Sequence, residues 1–168
     1  MLKKYYTHLI LTFLIIILGF TNFRSNKILS GWDNYHPEFL PYANFIDKTL
    51  FGVWNENYGL GTVIANSSYA ELLRLPIYYL LQLVVGTDYV RYFWHLFLVG
   101  IGAFGALYLT HFILKKFDVS FERESIGLLS LLSSVFYLLN IGSVQNNYLP
   151  YEPFSYFFMV LPWAILSL

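Results

Sequence analysis

Apolar residues along this chain come in long blocks set apart by polar stretches. Leu9–Phe20 carries no charge, and Tyr92–Leu114 is 23 residues without Asp, Glu, Lys or Arg. Ser125 to Asn140 is again uncharged, and Pro153–Leu168 is apolar to its last residue. A helix rises 1.5 Å per residue, so about 20 apolar residues cross a ~30 Å hydrocarbon core. The pattern predicts spans at Tyr5–Phe23, Tyr92–Leu114, Ser125–Ile141 and Pro153–Leu168. The expected fold class is all-α: polytopic transmembrane helices and a long external loop with two juxtamembrane helices. An apolar run that reaches Leu168 without a polar anchor predicts a truncated fragment, with residues 1–168 the N-terminal part of one integral membrane domain.

The long loop, residues 24–91, has a pattern of its own. Leu75–Gly86 is apolar but only 12 residues long, a reach of about 18 Å. Arg74 and Pro76 stand at its start, and an Arg near the bilayer centre costs about 2.5–3.5 kcal/mol. It is therefore expected as an interfacial or re-entrant helix, beginning near Tyr69. Pro37–Phe51 repeats Phe39, Leu40, Ala43, Phe45, Ile46 and Leu50 near helical spacing, which predicts an amphipathic helix with Pro37 at its first position. Between them, Gly52–Ser68 is rich in Gly and Asn and reads as turns.

Charge orients the spans. Lys3 and Lys4 precede the first block and favour a cytoplasmic N-terminus. The segment after that block, Thr21–Asn26, has no small-x-small cleavage pattern, so an uncleaved span is expected rather than a signal peptide. Lys115, Lys116 and Arg123 crowd the short loop Lys115–Glu124, which also favours the cytoplasm. That placement requires Leu75–Gly86 not to span. Residues 24–91 and the short loop Gly142–Glu152 then face outward, at the surface of the cytoplasmic membrane.

Composition agrees. The chain is 57% hydrophobic and 12% charged, about half the charge of a soluble surface. Ten basic residues balance ten acids, so no net field recruits nucleic acid. The absence of Cys excludes disulfides, thiolate metal sites and Cys nucleophiles.

Two acids are candidates for chemistry. Asp33 sits in the polar cluster Gly31-Trp32-Asp33-Asn34-Tyr35-His36, where a carboxylate can act as general base at the lipid surface. The same residues before Pro37 also suit a turn or helix cap, the commoner use of Asx side chains. Glu152 stands where Gly142–Glu152 meets the fourth span. There it either complements a helix dipole or faces a cavity. Gly59-x-Gly61 lacks the third Gly and the strand–helix setting of a dinucleotide site and reads as a tight turn. His8, His36, His95 and His111 form no i, i+4 pair, so no metal site is indicated. The run from Gly100 to Ala106 has small residues at small-xxx-small spacing, which predicts close helix packing.

Gly31 to Phe39, with Val53-Trp54 and Gly59-Leu60-Gly61, resembles the first external loop of bacterial polytopic GT-C superfamily membrane glycosyltransferases. The nearest subgroup is similar to the mycobacterial arabinofuranosyltransferases and their uncharacterised relatives. The resemblance runs from Lys3 to Leu168. It implies a polyprenyl-phosphate sugar donor and a glycan or lipid acceptor outside the cytoplasmic membrane. It also implies a catalytic base at Asp33 and a second acidic site at Glu152. His36, Arg74 or Arg91 would steady the leaving phosphate. Asn34 and Tyr35 follow Asp33, so a DxD pair is absent, and a divalent metal, though possible in the family, has no support in the sequence. The alternatives are a lipid or polymer transporter, or a scaffold of four helices.

Overall fold

With no charge from Tyr5 to Asn22, nothing competes with helix in the first block, which folds as α1 (Leu2–Asn22). The computed structural model describes residues 2–23, 27–31, 39, 54–55, 60–63, 74–117 and 123–168. The chain divides into two compact units, residues 1–34 with 92–168 and residues 35–91. Among the described residues the fold is all-α apart from a two-residue antiparallel ladder.

In the unit of residues 35–91, β1 (Trp54–Asn55) pairs with β2 (Thr62–Val63) in the register Trp54 to Val63 and Asn55 to Thr62. Gly61 before β2 has φ 97°, and a Cβ there would run into the Trp54 indole, so the turn requires glycine. Next comes α2 (Arg74–Val85), twelve residues and too short to cross a membrane; the start expected near Tyr69 lies outside the described residues. It ends at Gly86, whose φ of 77° is the left-handed conformation that closes many helices. The helix expected over Pro37–Phe51 lies outside the described residues, Phe39 apart.

The chain re-enters helix at once. α3 (Thr87–Lys116) opens with Asp88 in its first turn and closes with Lys115 and Lys116 in its last, charges that suit the helix dipole at each end. It starts five residues before the expected span, so Arg91 belongs to a helix and not to the end of a loop. α4 (Arg123–Leu139) follows, then α5 (Ile141–Tyr148) and α6 (Glu152–Leu166). The expected short loop over Gly142–Glu152 is thus largely helical. The axis bends by 51° between α4 and α5. Asn140 makes the bend: its backbone turns extended (φ −66°, ψ 161°), and its Oδ1 accepts from the Ser143 N–H at 3.1 Å. An Asn cap thereby ends one helix and starts the next. Pro153 in the first turn of α6 suits a helix start.

Among the described residues α1 and α3 are long and apolar enough to cross a membrane, and the bent α4–α5 pair makes a third candidate. α6 is apolar but only 15 residues long, about 22 Å, shorter than the expected span at Pro153–Leu168. Exposure agrees with lipid as the solvent. Phe13, Phe20, Phe136 and Phe157 all point outward, at 59–75% exposure, the kind of apolar surface that marks contact with lipid or with further protein. The chain is membrane-embedded.

The bundle formed by residues 1–34 and 92–168 alternates in direction. Gly19 faces Leu96 while His8 Nε2 meets the Tyr108 hydroxyl at 3.0 Å, so α1 and α3 run antiparallel. α4 runs alongside α1, with the Tyr6 hydroxyl on the Glu124 carbonyl and against Gly127. α6 runs with α3: Trp94 bonds Tyr156, Gly102 faces Phe158, and Gly105 faces Trp163. The core joins Leu11, Ile15, Val99, Ala103, Leu107, Leu131, Leu138 and Phe158. Lipid tails are as apolar as Leu, so close packing and internal hydrogen bonds hold such a bundle. Both are present. The small residues of α3 let α6 approach, Ser134 donates to the Ala103 carbonyl at 2.6 Å, and Thr110 donates to Ser133 at 2.8 Å.

Candidate functional site

At one end of this bundle the helix ends meet in a buried polar seam. α1 leaves there at Asn22, α3 passes through at Tyr92, α5 ends at Tyr148, and α6 begins at Glu152. The Asn22 side-chain amide donates to the Asn147 carbonyl, and the Tyr92 hydroxyl donates to the Asn22 carbonyl. Deeper in, His95 Nε2 lies 3.0 Å from Asn147 Oδ1 and Nδ1 lies 3.3 Å from Ser155 Oγ. An amide oxygen only accepts, so the imidazole hydrogen sits on Nε2 and Nδ1 receives the Ser155 hydroxyl. Asn146 Nδ2 donates to Ser155 Oγ at 3.0 Å, and Asn146 Oδ1 accepts from the Tyr151 N–H at 2.8 Å. His95, Asn146, Asn147 and Ser155 are all buried. The seam ties α1, α3, α5 and α6 together with neutral groups.

Beside the seam lies an apolar cleft of about 360 Å³. Ile16, Leu18, Gly19, Phe20, Asn22 and Phe23 line it from the end of α1, with Tyr92, Phe93, His95 and Leu96 from α3 and Asn147 from α5. Asn147 connects the two features: its Oδ1 is bonded to His95, while its Nδ2 has no hydrogen-bond partner among the described residues. Among the described residues no three His, Asp or Glu side chains gather where a metal ion could be held.

Of the residues singled out in the sequence, Asp33 and His36 lie outside the described residues. Glu152 opens α6, its backbone at the first position after Tyr151. Arg74 is buried at the start of α2 with its guanidinium stacked 4.9 Å from the centre of the Tyr78 ring. Arg91, in α3, is buried to the same degree, 3% exposed. The side chains seen to converge are a different group: Asn22, Tyr92, His95, Asn146, Asn147 and Ser155. One signal for them stood in the sequence. His95 is an ionisable residue inside an uncharged 23-residue block, and such residues face partners within a bundle.

Compared with protein-family models, curated proteins and solved structures, the chain matches none.

Proposed function

We propose that the chain is part of a multi-pass membrane glycosyltransferase of GT-C type. It moves a sugar from a polyprenyl-phosphate donor to a glycan or lipid acceptor at the outer face of the cytoplasmic membrane. The observation that supports this best is the bond from the Tyr92 hydroxyl to the Asn22 carbonyl. It pins together the two ends of a segment of about 70 residues, which therefore leaves and rejoins the bundle at one end. That segment holds the Gly31–Phe39 run and Asp33. A loop of that length at one membrane face is long for a connection and suits a catalytic role.

In this reading Asp33 takes the proton of the acceptor hydroxyl as its oxygen attacks the anomeric carbon. The bond from that carbon to the phosphate oxygen breaks, and the polyprenyl phosphate leaves with the electron pair. Arg74 and Arg91 are buried guanidinium groups of the same segment, the type of group that holds a phosphate through paired hydrogen bonds. His36 adds a further donor, and Glu152 is the second acid.

The test is transfer by the full-length protein in proteoliposomes, supplied with a panel of polyprenyl-phosphate sugars and membrane acceptor. Asp33→Asn should lower transfer by roughly 100-fold or more, the scale of general-base catalysis, while carbonate-resistant membrane insertion persists. Transfer at the wild-type rate would remove Asp33 from the mechanism.

One observation favours a second reading. The 51° break at Asn140 gives a discontinuous helix, a device of lipid and solute transporters. Lipid flux across the same proteoliposomes without sugar transfer would select it.

A further inference from the structure

We infer that α5 is a hinged lid over the polar seam, seated chiefly by hydrogen bonds, and that it lifts about 1% of the time to open the end of the bundle. The inference does not rest on sugar transfer: a transferase and a transporter would each use such a gate.

Between helices in a bilayer, close packing and internal hydrogen bonds do the holding. The long helices of the bundle use both. α1 buries Leu11, α3 buries Leu98 and Ala103, and α4 buries Leu131 and Leu138. α5 is turned the other way. Its buried residues are Ser143, Asn146 and Asn147, all polar. Its larger apolar residues face out, with Ile141 89% and Tyr148 55% exposed. Its glycine makes no close approach to another helix. Among the described residues the one atom within 4 Å of a Cβ on Gly142 is Asn140 Oδ1, at 3.4 Å, from its own cap.

Four hydrogen bonds seat α5 on the residues beyond its two ends. The Asn147 carbonyl accepts from Asn22, and Asn147 Oδ1 accepts from His95. Asn146 Nδ2 donates to Ser155, and Asn146 Oδ1 accepts from the Tyr151 N–H. The bonds of Ser143, to Asn140 and to the Tyr137 carbonyl, stay at the break with α4. A side-chain bond between membrane helices is worth about threefold in an equilibrium constant, so four amount to about 100-fold. The backbone leaves the helical region on both sides of α5, at Asn140 (φ −66°, ψ 161°) and at Leu149 (φ −131°, ψ 78°). Residues of this kind at the ends of an element absorb a hinge motion. Rotation about them lifts Asn146 from Ser155 and Asn147 from His95. Asn147 also lines the apolar cleft, so the same motion removes part of the cleft wall and joins cleft to seam.

Hydrogen exchange of the full-length protein in phosphatidylcholine nanodiscs tests the lid. A free helix of eight residues is unstable in water, so α5 exchanges whenever it lifts. Amides 144–148 should be protected about 100-fold, against at least 10⁴-fold for residues 98–107 of α3, which open only with the whole bundle. Asn22→Ala removes one of the four bonds and should speed exchange at 144–148 about threefold while 98–107 stay unchanged. A thiol traps the open form. Ser155→Cys, at a position 2% exposed and bonded to Asn146, should react with a small water-soluble methanethiosulfonate at about 1% of the rate of the exposed Ser30→Cys. Protection at 144–148 as high as at 98–107, or a Ser155→Cys that never reacts, would make α5 a fixed part of the bundle and overturn the proposal. Amides 144–148 without protection would mean that α5 is not seated at all, which overturns it equally. The comparison of 144–148 with 98–107 is made on the wild-type protein and holds even if a variant misfolds.

Discussion

Gly102→Ala adds one methyl group at the closest approach of α3 and α6. A Cβ on Gly102 would lie 2.5 and 2.6 Å from two ring carbons of Phe158 and 2.7 Å from its carbonyl oxygen. Carbon atoms rest at about 3.5–4.0 Å, so α6 must retreat by about 1 Å. The ring has nowhere to turn, since Phe158 is 4% exposed and stacked on Tyr137 at 4.2 Å. The Tyr137 hydroxyl also donates to that same carbonyl at 2.9 Å, and a retreat stretches the bond. Overpacking of this kind costs about 1–3 kcal/mol. A weakened interhelical hydrogen bond adds about 0.6. Replacing Gly by Ala within a helix returns about 1. The net loss is about 0.6–2.6 kcal/mol, roughly 3- to 70-fold in the folding equilibrium. Gly100→Ala is the control: nothing lies within 4 Å of its Cβ, so only the helix preference remains and stability should rise by about 0.5–1 kcal/mol. Titration of the purified full-length protein with SDS in mixed micelles, followed by far-UV circular dichroism, measures both. If Gly102→Ala proves as stable as Gly100→Ala, α6 does not pack on α3 as described.

The polar seam gives a second expectation. His95→Leu leaves Asn147 Oδ1 buried without its donor and should cost about 1–3 kcal/mol in the same titration, with faster hydrogen exchange at 141–148. Ser155→Ala leaves both Asn146 Nδ2 and His95 Nδ1 without this partner and should likewise cost about 1–3 kcal/mol. Wild-type stability and exchange in His95→Leu would mean that the imidazole does not hold α5 in place.

Much of the bundle is visible in the sequence because two physical signals are strong there. The uncharged stretch from Tyr92 to Leu114 allows little besides a membrane helix, and α3 contains all of it. The small residues around Gly102 and Gly105 announce close packing, and both meet α6. Leu75–Gly86 is short in the sequence, and among the described residues α2 occupies Arg74–Val85. The reading fails where polar side chains are satisfied by distant partners. Gln145, Asn146 and Asn147 look like loop residues, yet they are helical because Asn146 and Asn147 bury their amides against Ser155 and His95. The partners of His95 lie 52 and 60 residues away in the chain, beyond the reach of any local spacing rule. Arg91 looks like a loop terminus because it is charged, but α3 begins at Thr87, just after the Gly86 turn. The seam and cleft are therefore tertiary products. Only an imidazole within an apolar block, His95, hinted at them.

The proposed reading requires the end of the bundle that bears Asn22, Tyr92 and Asn147 to face outward. The chain has no Cys, so a single introduced thiol reports one position without background. Ser30→Cys, at an exposed position eight residues after Asn22, and Leu149→Cys, at an exposed position just after α5, should react with a membrane-impermeant maleimide in intact cells. Phe117→Cys, 71% exposed at the opposite end of α3, should react only after the cells are lysed. Labelling of Phe117→Cys in intact cells, with Ser30→Cys and Leu149→Cys protected until lysis, would turn the molecule over and contradict an outward site.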